Sequence, residues 1–477
     1  MKRLLWFIVM ALSSLALSAR ADVSVDTENL QLQFSPYGDL LSVRACLRAC
    51  GASGSRSQYY DSYRGLVTLN RDSDMVFELE RQDSDAHIQL LFTNQLSDEV
   101  RRWQIPHSGW LISLETSKAQ TLTLASGETF IPPQVPGFGG WMESLRYVFF
   151  DKNGLHQAGL DEQLEPWQPE AAWLGYRNRF WAAMIRPAQP MFTTLRNGED
   201  QEVAQIELAP VASGPQQYLL YAGPVEPAAL ASAHRELGAL MYAGLWAWLR
   251  WICQALFALL VGIHALVPNW AVAIMLMSLV IQALMQPLNR IAERLQQSVR
   301  DTETRISPRL HAIKKAYKGA EQAEKILALY KEEKVHPLYS LKSLAGVMVI
   351  IPVFIGAFNM LSENIWLAGA SFAWIQDLSR PDAIAALPVT IPFLGGSLNL
   401  LPFIMIALSV PASMLHDSGE SDPLLRIRHT RRLWMMSAAF FLLFYTFPAA
   451  MVLYWVVNNA VSLAKVLPRR TKAAPLG

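Results

Sequence analysis

The sequence predicts an α+β membrane protein: an exported antiparallel β-sandwich, then a five-helix transmembrane core with a cytoplasmic helical hairpin. Three observations predict this. Of 477 residues, 52% are hydrophobic and only 17% charged, against roughly 25% charged in an ordinary soluble domain. The apolar excess is concentrated at the extreme N-terminus and again after residue 237. Between those two regions the hydrophobic period is two, the signature of strands with one buried face.

Composition also excludes classes. A formal net charge of +1 argues against nucleic acid as a partner, because nucleic-acid-binding domains carry a basic excess. Three cysteines are too few for a disulfide-dense secreted scaffold. No Cys/His cluster has zinc spacing, so no metal is expected.

At the N-terminus, Lys2 and Arg3 precede an apolar run from Leu4 to about Leu17, followed by Ala19-Arg20-Ala21. A basic start, a short apolar stretch and a small-x-small site describe a secretory signal peptide over 1–21. An uncleaved anchor helix is the alternative; in both cases the next segment is exported.

Residues 22–235 form the expected periplasmic domain. Leu30-Gln31-Leu32-Gln33-Phe34, Val76-Phe77-Glu78-Leu79-Glu80, Leu122-Thr123-Leu124 and Ile206-Glu207-Leu208 alternate. Turn-forming clusters separate such runs, among them Pro36 to Asp39 and Ala212 to Pro215, as in an antiparallel sandwich. No nucleophile-base order or phosphate loop stands out, and carboxylates such as Asp161 and Glu162 read as solvated loop residues. Cys46 and Cys50 are four residues apart. On an extended strand that separation exceeds disulfide reach, so their pairing requires a turn or helix, and sequence leaves the matter open.

Residues 237–267 contain Trp246, Trp248 and Trp251, interrupted by Arg250 and His264. Aromatic residues favour the water–lipid interface, so an interfacial amphipathic helix is expected, with a spanning helix as the alternative. Five spans follow within 268–467: Trp270 to Leu288, Leu344 to about Trp366, Leu398 to Leu415, Leu433 to Phe447 and Ala449 to Val466. Orientation follows from the connecting charge. Segment 289–343 is rich in Lys and Arg, segment 416–432 carries four arginines, and the tail 468–477 is basic, whereas 367–397 has only Arg380. Basic loops stay cytoplasmic, which places the β domain outside and the C-terminus inside.

The hairpin at 289–343 shows two helical stripes: Ile306, Leu310, Ile313 and Tyr317, then Ile326, Leu329 and Tyr330. Gly319 is the expected break, and Ser307-Pro308 a start for the longer arm. The hairpin is either a receiver for a ribosome or nascent chain or a solvated spacer.

Polar residues within the spans carry the functional reading. Ser278, Gln282 and Gln286 recur every fourth residue and share one helix face. Tyr454, Asn458 and Ser462 do so in the last span, and Ser409 and Ser413 in the third. Polar groups in hydrocarbon are costly and face a bundle interior or wet cavity; helix–helix hydrogen bonding is the alternative use. Three ladders in five spans favour a shared polar groove. Paired ionisable residues, expected in a transporter or channel, are missing from the span centres.

Several motifs together resemble the YidC-type membrane protein insertases of the YidC/Oxa/Alb superfamily. They are Asn269-Trp270 with Met285-Gln286-Pro287-Leu288; Ala328 through Tyr330-Lys331-Glu332-Glu333-Lys334-Val335-His336-Pro337-Leu338; and Pro352-Val353-Phe354. To these are added Phe372-Ala373-Trp374-Ile375-Gln376-Asp377-Leu378-Ser379-Arg380-Pro381-Asp382 and Phe447-Pro448 through Tyr454-Trp455 with Asn458. In the exported region Trp173-Leu174-Gly175 and Tyr221-Ala222-Gly223-Pro224 match as well. The resemblance implies a non-enzymatic insertase and chaperone of the bacterial inner membrane, without cofactor. Its implied partners are nascent membrane proteins, the lipid bilayer, the Sec translocon and the ribosome, and a monomer is expected. A hydrophilic intramembrane groove would shelter a substrate's polar segment while its apolar segment enters lipid.

The sequence departs from this pattern in three places. Relatives usually carry an arginine twelve residues after the position of Trp270, where this chain has Gln282; a neutral amide can hydrogen-bond but supplies no charge. His336 stands where Asn is common, and the N-terminal segment reads as cleavable. A specialised assembly factor for one membrane complex is therefore the second expectation.

Overall fold

The computed structural model describes residues 22–471 except 53–54, 62–64, 70–76, 133–134, 152–153, 161–171, 198–203, 334, 337–340 and 417–422. The expected signal peptide or anchor, Val76, Asp161 and Glu162, and the Pro337-Leu338 end of one motif lie outside the described residues. The chain divides into two compact units, one formed by residues up to 135 with 140–244, the other by 136–139 with 245–477.

The first unit contains two antiparallel sheets. The eight-stranded sheet runs Val23–Asp26, Leu30–Phe34, Leu40–Cys46, Val67–Leu69, Leu122–Ala125, Ala204–Pro210 and Met191–Asn197, with Ser57–Asp61 added to Leu40–Cys46. The nine-stranded sheet runs Gly154–Gly159, Arg146–Asp151, Leu174–Arg177, Trp181–Pro187, Gln216–Pro224, Leu111–Thr116, Glu99–Pro106, His87–Asn94 and Glu78–Asp83. The alternating sequence pattern sets which face is buried: Leu30, Leu32 and Phe34 point inward, as do Ile88, Leu90 and Phe92. The inner faces meet. Phe34 of the first sheet packs edge-on against Trp103 of the second, ring centroids 5.2 Å apart.

Two tyrosines tie the sheets in opposite directions. The Tyr60 hydroxyl, from the eight-stranded sheet, donates to the Ala182 carbonyl at 3.1 Å. The Tyr176 hydroxyl, from the other sheet, donates to the Leu124 carbonyl at 3.0 Å. Both rings are fully buried, and burial pushes both hydroxyls well above the ordinary tyrosine value. Arg101 is also wholly buried, held by Glu99 at 2.6 Å and Asp39 at 3.2 Å and lying over the Phe77 ring. A cation survives there because carboxylates face it on the same strand and from the turn at Asp39.

One strand departs from its alternation. Glu78–Asp83 forms the edge of the nine-stranded sheet and is exposed along its whole length, Leu79 included. Cys46 and Cys50 form a disulfide with Cα atoms 5.3 Å apart. Cys46 ends a strand and the chain turns immediately afterwards, which is the turn the short spacing requires. Helix α1, Pro227–Ala233, closes the unit and is capped by the Glu226 carboxylate accepting from the Ala229 amide.

The second unit is helical: α2 (Ala247–Leu266), α3 (Trp270–Ala316), α4 (Gly319–Glu332), α5 (Leu341–Ser362), α6 (Leu401–His416), α7 (Pro423–Phe444) and α8 (Ala449–Thr471). Helix α3 packs on α5 and α8, α8 on α6, and α2 on α5. Gly356 makes the last contact possible: a Cβ there would lie 2.7 Å from Ile252. Phe354 of α5, Phe444 of α7 and Trp455 of α8 form an aromatic cluster, with centroids 5.2 and 5.5 Å from the tryptophan. Among the described residues, α2 and α3 are long and apolar enough to cross a membrane, by length and composition; Ile351–Ser362, Leu401–Leu415 and Leu433–Phe444 are shorter apolar helices.

Helix α3 corrects one expectation. Its 47 residues continue unbroken through both Pro287 and Pro308, so Ser307-Pro308 starts no helix. The break falls at Gly319, which has φ +65°, a conformation glycine adopts without strain. The two stripes then meet: Ile306 and Leu329 are buried, while Arg309 pairs with Glu332 and Glu333 at 3.0 and 3.1 Å. These ion pairs are exposed, and contribute little beside the apolar seam.

Between α5 and α6 the chain forms a two-stranded hairpin, Ala385–Ile391 with Gly395–Leu398. Before it, Asp382 is buried, and its Oδ2 accepts from the Trp374 indole at 3.0 Å and from the Leu400 and Leu401 amides at 2.8 and 3.0 Å. The same loop reaches α8, whose Ala450 amide donates to the Leu378 carbonyl at 2.9 Å. The Phe372 to Asp382 motif is thus a latch that fixes the starts of two helices.

Candidate functional site

Helices α3 and α8 bring two of the three polar ladders together. Asn269 caps α3, its Oδ1 accepting from the Val272 amide at 3.1 Å. From that start, Ser278 and Gln282 follow one turn apart on the face towards α8. The Ser278 hydroxyl donates to Asn458 Oδ1 at 3.1 Å, and Gln282 Nε2 donates to the same oxygen at 2.7 Å. Asn458 therefore serves as a shared acceptor between two turns of the facing helix.

Exposure is graded along this track. Ser278 is fully buried, Gln282 and Asn458 are half-buried, and Ser462 is exposed. Ser462 donates back to the Asn458 carbonyl at 2.8 Å. The track does not stop at the ladders. Lys465 Nζ donates to Gln282 Oε1 at 3.3 Å, so both ends of the Gln282 amide are engaged on α8. Lys465 was not among the sequence candidates, although Asn458, Ser462 and Lys465 sit at i, i+4 and i+7 and share one helix face.

The remaining candidates are placed differently. Gln286 lies one turn beyond Gln282 and is half-buried, and Tyr454 is buried one turn before Asn458. On α6, Ser409 bonds to the Ile406 carbonyl of its own helix at 3.3 Å, and Ser413 is half-buried one turn later. The polar link from α8 to α6 is Asn459, whose Nδ2 donates to the Met405 carbonyl at 3.4 Å. Its neighbour Asn458 was the sequence candidate; adjacent asparagines point to different helices, which a four-residue ladder does not reveal. Among the described residues the third ladder is not hydrogen-bonded to the first two. Among the described residues no group of His, Cys, Asp and Glu could hold a metal ion.

A two-sheet β unit followed by apolar helices that share amides across their seams defines a helical membrane protein with an appended β domain. Residues 262–473 match the family described as 60Kd inner membrane protein, and the chain is similar to YidC-type proteins. It is 31% identical over 353 residues to the membrane protein insertase YidC of Ralstonia nicotianae, covering 69% of this chain and 58% of that one. It is 28% identical over 345 residues to the membrane protein insertase YidC of Cupriavidus metallidurans, covering 72% and 52%. The chain thus spans about half the length of the curated relatives it matches. An active YidC insertase crystal structure aligns over 93% of this chain and 92% of that one, at 16% identity and a TM-score of 0.36.

Proposed function

We propose that the protein is an inner-membrane insertase and chaperone for membrane proteins. It shelters the polar part of an incoming polypeptide on the α3–α8 track and releases the apolar part into lipid. The observation that carries this reading is the graded polar line from buried Ser278 through Gln282 and Asn458 to exposed Lys465. A tightly sealed helix–helix bond would be buried at both ends; this one opens outward, where a polar segment can exchange water for amides and an ammonium. Gln286, Tyr454 and Ser462 extend the track, and Ser409 and Ser413 form its opposite wall. The reaction changes no covalent bond and takes no cofactor.

In this reading the sandwich faces the periplasm, which suits the Cys46–Cys50 disulfide, since disulfides persist in oxidising compartments. The α3–α4 hairpin and the C-terminus face the cytoplasm, where the hairpin meets a ribosome or nascent chain and the core works alone or beside the Sec translocon. Helix α2, with Trp246, Trp248 and Trp251 exposed, lies in the interface, and the core spans as a monomer. Helix α6, with 16 residues, is roughly 24 Å long, short of the about 30 Å hydrocarbon core. The bilayer thins around it, and this shortens the path of the substrate's polar segment.

The test is depletion of the resident insertase in cells and rescue with this chain, scored on insertion of a small single-span protein, with crosslinking from position 282 to nascent chains. Rescue with crosslinks supports the reading; normal expression with neither refutes it. A second reading, a dedicated assembly factor, is favoured by Gln282, whose neutral amide supplies no charge and donates one N–H to Asn458. It predicts crosslinks to one partner and no general rescue.

A further inference from the structure

We propose that the hairpin Ala385–Ile391 with Gly395–Leu398 is a lipid-binding element, immersed in the headgroup layer of the membrane beside the start of α6. The proposal goes beyond the insertase reading and holds whichever polypeptide the core handles.

The hairpin and the segment packed on its tip expose a group of apolar side chains. Val389 is 68% exposed, and Ile384, Ile391, Phe393 and Leu398 are exposed with it. Pro136–Gly139, which belongs to the helical unit, adds the exposed Phe138, whose ring meets Phe393 edge-on at 4.9 Å. That segment is seated by the Gly139 amide, which donates to the buried Thr446 Oγ1 at 3.0 Å. Phe393 holds φ +72°, a left-handed conformation costly for a residue with a side chain, so an aromatic ring is kept at the tip against backbone preference. Exposed apolar side chains grouped in this way mark a protein or membrane contact.

Three observations choose the membrane. The first is charge. From 383 to 415 the chain has no Asp, Glu, Lys, Arg or His, whereas a protein interface is ringed by a polar rim. The second is exposure on both faces. Successive side chains of a strand point to opposite faces, and six of the seven residues of Ala385–Ile391 are exposed. A docked protein covers one face; a fluid layer surrounds both. Pro388 within that strand also works against addition of a further strand, such as one from a second copy. The third is depth. Leu398 precedes the first residue of α6 by three positions, at most ~11 Å of chain, so the base of the hairpin stays level with the end of a membrane helix. Hydrocarbon does not accept the unpaired backbone groups of an open sheet edge, whereas headgroups and their water do. The hairpin therefore lies shallow.

The experiment uses the full-length protein in nanodiscs of phosphatidylethanolamine and phosphatidylglycerol. Val389→Cys and Thr390→Cys, neighbours on opposite faces of the strand, are each labelled with a nitrobenzoxadiazole fluorophore. Lys318→Cys, at the exposed turn of the α3–α4 hairpin, is the water-exposed control. Wild type, whose Cys46 and Cys50 are paired and whose Cys253 is buried, gives the labelling background. Both hairpin labels are expected to emit to the blue of the Lys318→Cys label. Both should be quenched more by lipids with a doxyl group near the headgroup than by lipids with one at the acyl terminus. Ile391→Cys and Pro388→Cys report the same two faces where a first variant fails to fold. Water-like emission from both faces overturns the proposal, as does quenching on one face alone. A blue shift that doxyl lipids do not quench also overturns it and marks a protein cover, such as a second copy. Stronger quenching from the acyl terminus overturns the shallow placement. The measurement needs no insertion activity, so failure of the rescue experiment refutes the insertase reading and leaves this one to be judged by depth.

Discussion

Gln282 and Asn458, 176 residues apart in sequence, meet as an amide pair across α3 and α8 with Nε2 2.7 Å from Oδ1. The same oxygen accepts from Ser278, so one side chain holds two turns of the facing helix. Removing it frees two donors at once. Asn458→Leu should lower stability by about 1 kcal/mol, the scale of hydrogen bonds between membrane helices, with part recovered by Ser278 bonding its own helix backbone. Asn458→Asp keeps the acceptor and should cost less. Thermal unfolding of the purified protein in detergent reads both; equal losses would contradict the shared-acceptor geometry.

The Asp382 latch gives a second expectation. Asp382→Ala strips the acceptor from the Trp374 indole and from two amides at the start of α6. The loss should be about 2 kcal/mol, the upper range for helix caps, and proteolysis should open the 367–400 segment before the rest of the helical unit. Asp382→Asn, which retains an oxygen, should lie between. Limited proteolysis with mass spectrometry is the measurement.

Alkaline pH should unfold the β unit. Burial raises Tyr60, Tyr176 and Tyr221 well above the ordinary value, and Tyr147 to about 12. A raised folded value means the protonated form is favoured in the fold. The stabilisation is complete below about pH 10, the unfolded tyrosine value, and is lost as pH rises through the folded values. Tyrosinate absorbance should therefore appear together with loss of near-ultraviolet circular dichroism. Tyrosines that ionise near pH 10 with the signal intact would contradict this.

The cysteines report compartment. In intact cells Cys46 and Cys50 should resist maleimide until a reductant is added, whereas the free but buried Cys253 should react without reductant once the protein is denatured. Cys46→Ala or Cys50→Ala should destabilise the β unit by about 2 kcal/mol, the chain-entropy value for so short a loop. Labelling without reductant would place the unit in a reducing compartment.

Much of this architecture was legible because it depends on period. Leu30 to Phe34 had to bury alternate residues, and the stripes at Ile306 and Ile326 had to find each other across Gly319. The ladders on α3 and α8 were legible for the same reason. What escaped depends on distant neighbours. Leu79 alternates like a core residue but lies on the sheet's edge strand and is exposed. Pro308 reads as a start signal, yet an exposed helix tolerates the missing bond. Lys465 lies within the last span and was not singled out, since sequence cannot show that its ammonium bends back to Gln282. Asn459 was hidden by its neighbour, because adjacent helical residues face different partners.

The strand Gln216–Pro224 is the last of its sheet in the chain and yet lies in its middle, between Trp181–Pro187 and Leu111–Thr116. During synthesis from the N-terminus, the two halves of that sheet have no hydrogen-bonded bridge until residue 224 has been made. Until then the edges of Leu111–Thr116 and Trp181–Pro187 that this strand joins stay unpaired, a state prone to aggregation. Placement of this one strand is therefore the step that locks the sheet shut.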